Sequence, residues 1–467
     1  MVRSRSGRDA HEASTDAAGA PSDRRVLRVR RALIGAVAVA IGVAIAVAAV
    51  APIVSHWLTN PPDQRLVDLD VYRSGGQAVL RRAPVYDLLT QPPQLLPFTY
   101  PPFAALLATP LALLSWPAAQ WTWVAMVYGA LGVTVCYAFR GPLARAGRWS
   151  PVAAGALLGA LVGAMAYLMP VRDQIRFGQV DLFLVALCVA DCATRSPRWP
   201  RGLLIGLATA IKLVPGVFVV YLWLTGRRRA AVTATVAAAA ATLATAAVLP
   251  RDSADYWFGA LLDSDRVGAN NGTANQALRA VLLRMYLPGS VTALLWVVGV
   301  AAVAYAGFRW ARRAGLSAAH RPGGPGAPDA LGGSAASYNA ELVGIAITGL
   351  LAVALSPVAW IHHLAWLVVV VGALAGSGRD VRRLIVAGGV WLAYVLPLPW
   401  WGTRLIGPEH DVISRFIGRI VQSSYGLGAI ALILVLGGWL TGRLRISSGP
   451  DQGEEEHHRP RVGTLDP

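Results

Sequence analysis

Carboxylates, arginines and a histidine pair interrupt an otherwise apolar chain, and they gather in a few short stretches. "VDLDVYRSGG" at 67–76 and "FTYPP" at 98–102 hold Asp68, Asp70, Tyr72, Arg73 and Tyr100. "RDQIRFGQVD" at 172–181 holds Arg172, Arg176, Gln179 and Asp181. The stretch 252–279 ends in "RVGANNGTANQALR", with Arg266, Asn271, Asn275 and Gln276. "SPVAWIHHLAW" at 356–366 carries His362 and His363, and "WWGTRLIGPEHD" at 400–411 carries Arg404. A carboxylate within reach of a hydroxyl can act as a base. Arginine can fork onto two oxygens of an anion, whereas lysine acts as a point charge. The chain has one lysine, Lys212, and the other 41 basic residues of this class are arginine. That lysine sits inside "GLLIGLATAIKLVPGVFVVYLWL" at 202–224, where its neighbours are apolar.

The segments that must hold these groups are membrane helices. Of 467 residues, 55% are hydrophobic and 14% charged, well below the roughly 25% charged of a soluble chain. Apolar runs long enough to span a bilayer recur, so the fold class is an all-α polytopic membrane protein. The formal net charge of +17 comes from arginines in short connectors. The positive-inside rule accounts for that pattern, and nucleic acid is excluded as a partner. Cys136, Cys188 and Cys192 fit no metal or redox spacing and read as packing residues. No metal and no cofactor are expected.

"RRVLRVRR" at 24–31 ahead of the first apolar run places the N-terminus in the cytoplasm. Residues 1–31 read as a disordered basic N-terminus, 32–442 as the membrane domain, and 443–467 as a disordered cytoplasmic tail. Full spans are expected near 32–53, 118–139, 152–169, 178–194, 229–249, 290–309, 340–356, 358–377, 382–399 and 423–442. A Gly/Pro-rich cytoplasmic linker occupies 314–338. Residues 100–117 are too short between prolines to span and read as an interfacial or re-entrant helix. The 202–224 stretch has basic ends that both want the cytoplasm, which one straight helix forbids. Two short helices meeting near "KLVP", with Pro215 breaking the ladder, resolve the conflict. The count is then about ten full spans plus two short or re-entrant helices, with both termini inside. On this topology the outer loops are 54–117, 170–181, 250–289 and 400–422. They gather the reactive residues on one side, as a cavity for a polar substrate at the outer membrane surface would require.

Six motifs in order carry a resemblance to a known family. They are "DLDVYRSGG", "FTYPPFAALL", "GQVDLFLVALCVADC", "AIKLVPGVFVVYLW", "RVGANNGTANQALRAVL" and "SPVAWIHHLAW". Together they resemble the polyprenyl-phosphate-mannose-dependent α-(1→2)-mannosyltransferases, GT-C membrane enzymes of glycosyltransferase family 87, over about residues 65–440. The resemblance implies an inverting enzyme with a lipid-linked donor and a glycolipid or lipoglycan acceptor at the outer face of the plasma membrane. It implies a carboxylate base in the first outer loop, four residues before a tyrosine, which selects Asp68 with Asp70 in reserve. It also implies a histidine, His362 or His363, that orients the base or the acceptor. Adjacent helical residues point about 100° apart, so one of the pair is expected to face the cavity, and an i,i+1 pair on one helical face is a poor metal site.

The departing phosphate needs cations and donors. The candidates are Arg176, Arg266, Arg404 and Lys212, with membrane-interface anchoring the alternative for the arginines. For Lys212 the alternative is a buried ion pair to Asp191 or another acid. Asp70, Tyr72, Arg73, Tyr100, Gln179, Asn271, Asn275 and Gln276 are the remaining candidates for substrate contact. Tyr100 could stack on a sugar or anchor at the headgroups, and Asp181 is expected to cap a helix. No nucleotide-sugar motif is apparent. A transporter or flippase for a lipid or sugar, or an enzyme using another lipid-linked sugar such as arabinofuranose, are the competing readings.

Overall fold

The computed structural model describes residues 21–61, 65–263, 266, 268–319 and 333–440. The remainder of the expected tails, 1–20 and 441–467, and the centre of the linker, 320–332, lie outside the described residues. Among the described residues the chain is helical, and its extended pairings are two isolated bridges, Leu89 with Pro97 and Asn275 with Trp360. Two expectations shift at the margins. Residues 21–31 are helical, as the start of Pro21–Thr59, and helices Gly289–Ala319 and Gly333–Ala354 take up both ends of the expected linker. Arginine, leucine and alanine are good helix formers, and once an apolar helix has nucleated, extending it costs little.

Proline and small polar residues set where helices begin. Proline stands in the first turn of Pro102–Leu107, Pro151–Ala166, Met169–Phe177, Pro250–Asp255 and Leu398–Thr403, where its missing N–H costs nothing. Ser150 caps Pro151–Ala166 by accepting from the Val152 N–H at 3.1 Å. Asp411 caps Val412–Gln422 by accepting from Ile413 and Ser414.

Among the described residues, five helices are long and apolar enough to cross a membrane: Arg25–Thr59, Trp116–Ala138, Arg228–Val248, Gly289–Ala318 and Ala335–Ala354. Two bent pairs raise the number to seven if each is one span: Pro151–Ala166 with Met169–Phe177, at 78°, and Val412–Gln422 with Ser424–Gly438, at 62°. This differs from the ten expected. The segments near 178–194 and 382–399 form helices of 13 and 15 residues, Asp181–Ala193 and Val381–Val395. At 1.5 Å per residue these reach only about 20 Å, short of the roughly 30 Å apolar core. The segment near 358–377 divides into a 3-10 turn, Ile361–Trp366, and the helix Leu367–Ala375. Helix Ala335–Ala354 is the axis of the bundle, with 78% of its apolar window buried, against 11% for Gly289–Ala318 at the lipid-facing periphery.

The first helix packs along Pro151–Ala166 through a seam without side chains. A Cβ on Gly155 would meet the Ala38 carbonyl at 2.1 Å, and one on Gly159 would meet the Gly42 carbonyl at 2.2 Å. This is the small-xxx-small contact by which membrane helices approach backbone to backbone.

The expected break in 202–224 is present. Helix Leu203–Ile211 ends at Lys212, whose backbone is extended at φ −153°, ψ 127°. A 3-10 turn, Val214–Gly216, follows, and then Val217–Leu224. Residues 100–117 likewise form two short helices, Pro102–Leu107 and Thr109–Ala112, before the long Trp116–Ala138 helix begins. Gly159→Leu should open the first seam. Overpacking of this kind costs about 1–3 kcal/mol, so the protein in detergent should melt several degrees lower, and an unchanged melting temperature would disprove the contact.

Candidate active site

One cavity of about 710 Å³ opens where the expected outer loops converge. Its wall includes Asp68, Tyr100, Asp173, Gln179, Lys212, Arg266, His362 and His363. These residues come from six separate stretches, and local backbone geometry aims each one.

Asp68 lies in the first turn of Val67–Arg81. That helix is fixed at its start: Leu66 holds a left-handed backbone, φ 50°, and its N–H donates to the Arg176 carbonyl at 3.0 Å. Gly178 ends the opposite helix, Met169–Phe177, also left-handed at φ 75°. A Cβ there would meet Leu69 Cβ at 2.8 Å, so both the backbone angle and the close approach require glycine. The approach carries Gln179 to Asp68. Gln179 Nε2 donates to Asp68 Oδ2 at 2.7 Å, and Gln179 Oε1 accepts from the Tyr72 and Tyr100 hydroxyls, each at 3.1 Å. The Tyr72 and Tyr100 hydroxyl oxygens lie 2.9 Å apart, so the single Tyr72 proton is shared between Gln179 Oε1 and Tyr100. Burial pushes the Asp68 carboxyl up to about 6, against the pull of the Gln179 hydrogen bond and the Lys212 charge, with Asp181 adding to the rise. Asp70 does not line the cavity. Two positions on a helix differ by about 200°, so Asp68 faces the cavity and Asp70 does not.

The second group surrounds Lys212. Its Nζ lies 2.8 Å from Asp181 Oδ1 and 2.9 Å from His363 Nε2, and 5.4 Å from the Tyr100 ring centre. The ion pair is with Asp181 rather than Asp191, whose carboxylate instead accepts from the N–H groups of Gly202 and Ile205 and from Trp199. Asp181 is not a cap either. Val180 holds the cap position and Asp181 stands in the first turn, its side chain turned to the lysine. His362 Nε2 lies 3.9 Å from Asp181 Oδ2. Both histidines line the cavity, not one. They sit in the 3-10 turn Ile361–Trp366, and their rings meet edge to face at 4.7 Å. They contact the lysine and its carboxylate partner, not Asp68.

The amides expected to meet substrate are used internally. Asn275 Oδ1 accepts from Ala277 and Ala359 N–H, and its Nδ2 donates to the Asn270 carbonyl. Gln276 Nε2 donates to the Thr273 and Gln422 carbonyls, and its Oε1 accepts from Gly426 N–H. With the backbone bonds Gln276 N–H to Ala359 and Ile361 N–H to Ala274, they lash the 270–277 turn to the strand-like lead into His362. Asn271 is exposed and off the cavity. Arg266 reaches the wall and donates to the Tyr86 carbonyl at 2.8 Å. Arg73 donates to the Leu114 carbonyl, and Arg176 lies over the Trp57 and Phe177 rings. Neither of these, nor Arg404, lines the cavity. Sequence reasoning passed over Asp173, which does, and Gln174, whose Nε2 holds the His362 carbonyl at 2.9 Å. It also undervalued Asp181. The usable signal was charge balance, since a lone lysine among apolar helices needs an acid at similar depth.

Residues 98–324 match the profile of glycosyltransferase family 87. The chain is 34% identical over 396 residues to a polyprenol-phosphate-mannose-dependent alpha-(1-2)-phosphatidylinositol mannoside mannosyltransferase of Mycolicibacterium smegmatis, covering 79% of this chain and 83% of that protein. The chain belongs to glycosyltransferase family 87. A Mycobacterium tuberculosis protein of the same description is 32% identical over 81% of this chain and 86% of its own length. A polyprenol-phosphate-mannose-dependent alpha-(1-2)-phosphatidylinositol pentamannoside mannosyltransferase of M. smegmatis is 31% identical, over 81% of this chain and 86% of that protein. No solved structure is significantly similar. Membership in family 87 identifies a multi-pass membrane glycosyltransferase and sets the transporter reading aside.

Gln179 is the contact that keeps Asp68 ionised and aimed. Gln179→Ala removes a hydrogen bond that lowers the Asp68 pKa, so the acidic limb of the activity profile should move above pH 6 and turnover should fall roughly 10- to 100-fold. An unmoved profile would deny the contact its role.

Proposed function

We propose that this family 87 member transfers mannose from polyprenyl-phosphate-mannose to a glycolipid of the phosphatidylinositol mannoside class, forming an α-(1→2) linkage at the outer face of the plasma membrane. The names of its relatives support the donor, the acceptor class and the choice of mannose over another lipid-linked sugar. Arginine-rich connectors at the opposite end of the helices support the outward orientation. The observation that carries the reading is that Asp68 and Lys212 line the same cavity, one as a proton acceptor and the other as a cation.

The chemistry assigned to each residue follows from what the transfer needs. Asp68 takes the proton of the acceptor hydroxyl as that oxygen attacks the anomeric carbon. The bond from that carbon to the donor phosphate breaks with its electron pair on the phosphate oxygen. A single displacement inverts the anomeric centre, because the nucleophile enters opposite the leaving group. Lys212 faces the phosphate as negative charge grows there, with Arg266, His362 and His363 as further donors on the same wall. Tyr72, Tyr100 and Gln179 hold Asp68 rather than substrate. No residue of this set requires a cofactor: the donor arrives already activated by its phosphate.

A carboxylate base works only when ionised, so kcat/KM should rise with pH through about 6 and level off above 7. Asp68→Asn should lower turnover by about 10²–10⁴-fold with purified polyprenyl-phosphate-mannose and a phosphatidylinositol mannoside acceptor. The folded state holds the Asp68 pKa above its ordinary 3.8. Its contribution to stability is therefore present below that value and lost as pH rises through about 6. At pH 7 the asparagine variant should melt no lower than the parent, which separates lost chemistry from lost folding. Undiminished transfer by Asp68→Asn would end the assignment.

A further inference from the structure

Lys212 sits on the edge of a nearly complete metal-ligand set. Asp181, His362 and His363 each offer one ligand atom, and the three atoms lie within 4.8 Å of one another. Nitrogen and oxygen ligands at about 2.0–2.2 Å from a zinc ion stand roughly 3–4 Å apart, so small side-chain rotations would close the set. Two histidines and one carboxylate suit a borderline divalent ion. A second observation points the same way. Asp181 Oδ2 and His362 Nε2 are buried, 3.9 Å apart, and neither has a hydrogen-bond partner. Buried polar atoms are normally satisfied, and here an acceptor oxygen and a ring nitrogen turn toward the same gap.

The charge already present opposes a metal in this gap. The Lys212 ammonium lies 2.8 Å from Asp181 Oδ1 and 2.9 Å from His363 Nε2. It donates to two of the three residues that would bind a metal. For His363 Nε2 to accept from that ammonium it must carry no proton, which is also the state a metal demands. A dication could enter only against the ammonium charge a few ångströms away. Removing the ammonium leaves a carboxylate and two imidazoles around an uncompensated pocket.

We propose that Asp181, His362 and His363 form a cation site that Lys212 fills from within the chain, and that the site takes up a divalent transition metal once the ammonium is removed. The metal arm of this proposal rests on geometry alone. The activity arm rests on the reading that Lys212 faces the departing phosphate.

Full-length protein and its Lys212→Ala variant, stripped with chelator in detergent, would be incubated with zinc, washed, and assayed for metal per chain by mass spectrometry. The parent should retain none and Lys212→Ala about one equivalent, which Lys212→Ala combined with Asp181→Asn should lose. Transfer by the parent should be indifferent to chelator. Transfer by Lys212→Ala should fall and be partly restored by zinc, manganese or propylammonium. If Lys212→Ala does not fold, Lys212→Gln keeps the stem and removes the charge, and the same zinc count applies. A folded variant that binds no zinc, or a parent that retains one equivalent, would overturn the proposal. Absence of mannose transfer by the parent would instead reject the assigned reaction and leave the zinc count standing.

Discussion

A lone ammonium among apolar helices has to be paired, and the Lys212–Asp181 contact meets that requirement. An unpaired charge in such surroundings is costly enough that the group would neutralise or the chain would refold around it. Pairing at 2.8 Å demands that the lysine reach sideways from its own segment. A continuous helix would carry it past the acid. The chain instead stops the helix at Ile211, extends Lys212 and restarts beyond Pro215. The freed backbone groups are tolerable because they border a polar cavity rather than lipid. One electrostatic need thus accompanies a break in secondary structure, and the break borders the wall on which the histidines and the lysine sit.

Asp68 depends on the neighbouring turn. Gly178, Gln179 and Asp181 are almost consecutive, yet they serve three ends. Gly178 allows Met169–Phe177 to touch Val67–Arg81, Gln179 orients Asp68, and Asp181 orients Lys212. The remaining polar residues of the outer loops mostly build the frame. Asn275 and Gln276 spend their amides on backbone groups, which is how a loop of glycines and asparagines becomes a rigid support for the histidine turn.

Much of this was legible in the sequence, and the limits have physical causes. The kink near Pro215 and the short helices after Tyr100 follow from local chemistry: proline geometry and segment length. The number of spans was not legible in the same way. Hydropathy measures how apolar a segment is and cannot tell a helix facing lipid from a shorter one buried inside the bundle, such as Asp181–Ala193. Nor could composition separate amides that meet substrate from amides that meet backbone, since both uses call for the same groups. Arg176 and Arg404 look alike as charges. Only the fold reveals that one rests on aromatic rings and that neither reaches the cavity. Asp181 was misjudged because its position at a helix start invites a capping role, and the partner that claims it lies 31 residues away.

The spacing between Gln179 and Asp181 has a broader meaning. Asp68 and Lys212 are each held by one of these residues, so the spacing of their anchors is set by two peptide units. The anchors thus form a covalent ruler: motion of the surrounding helices cannot change the interval between them without breaking one of the two contacts.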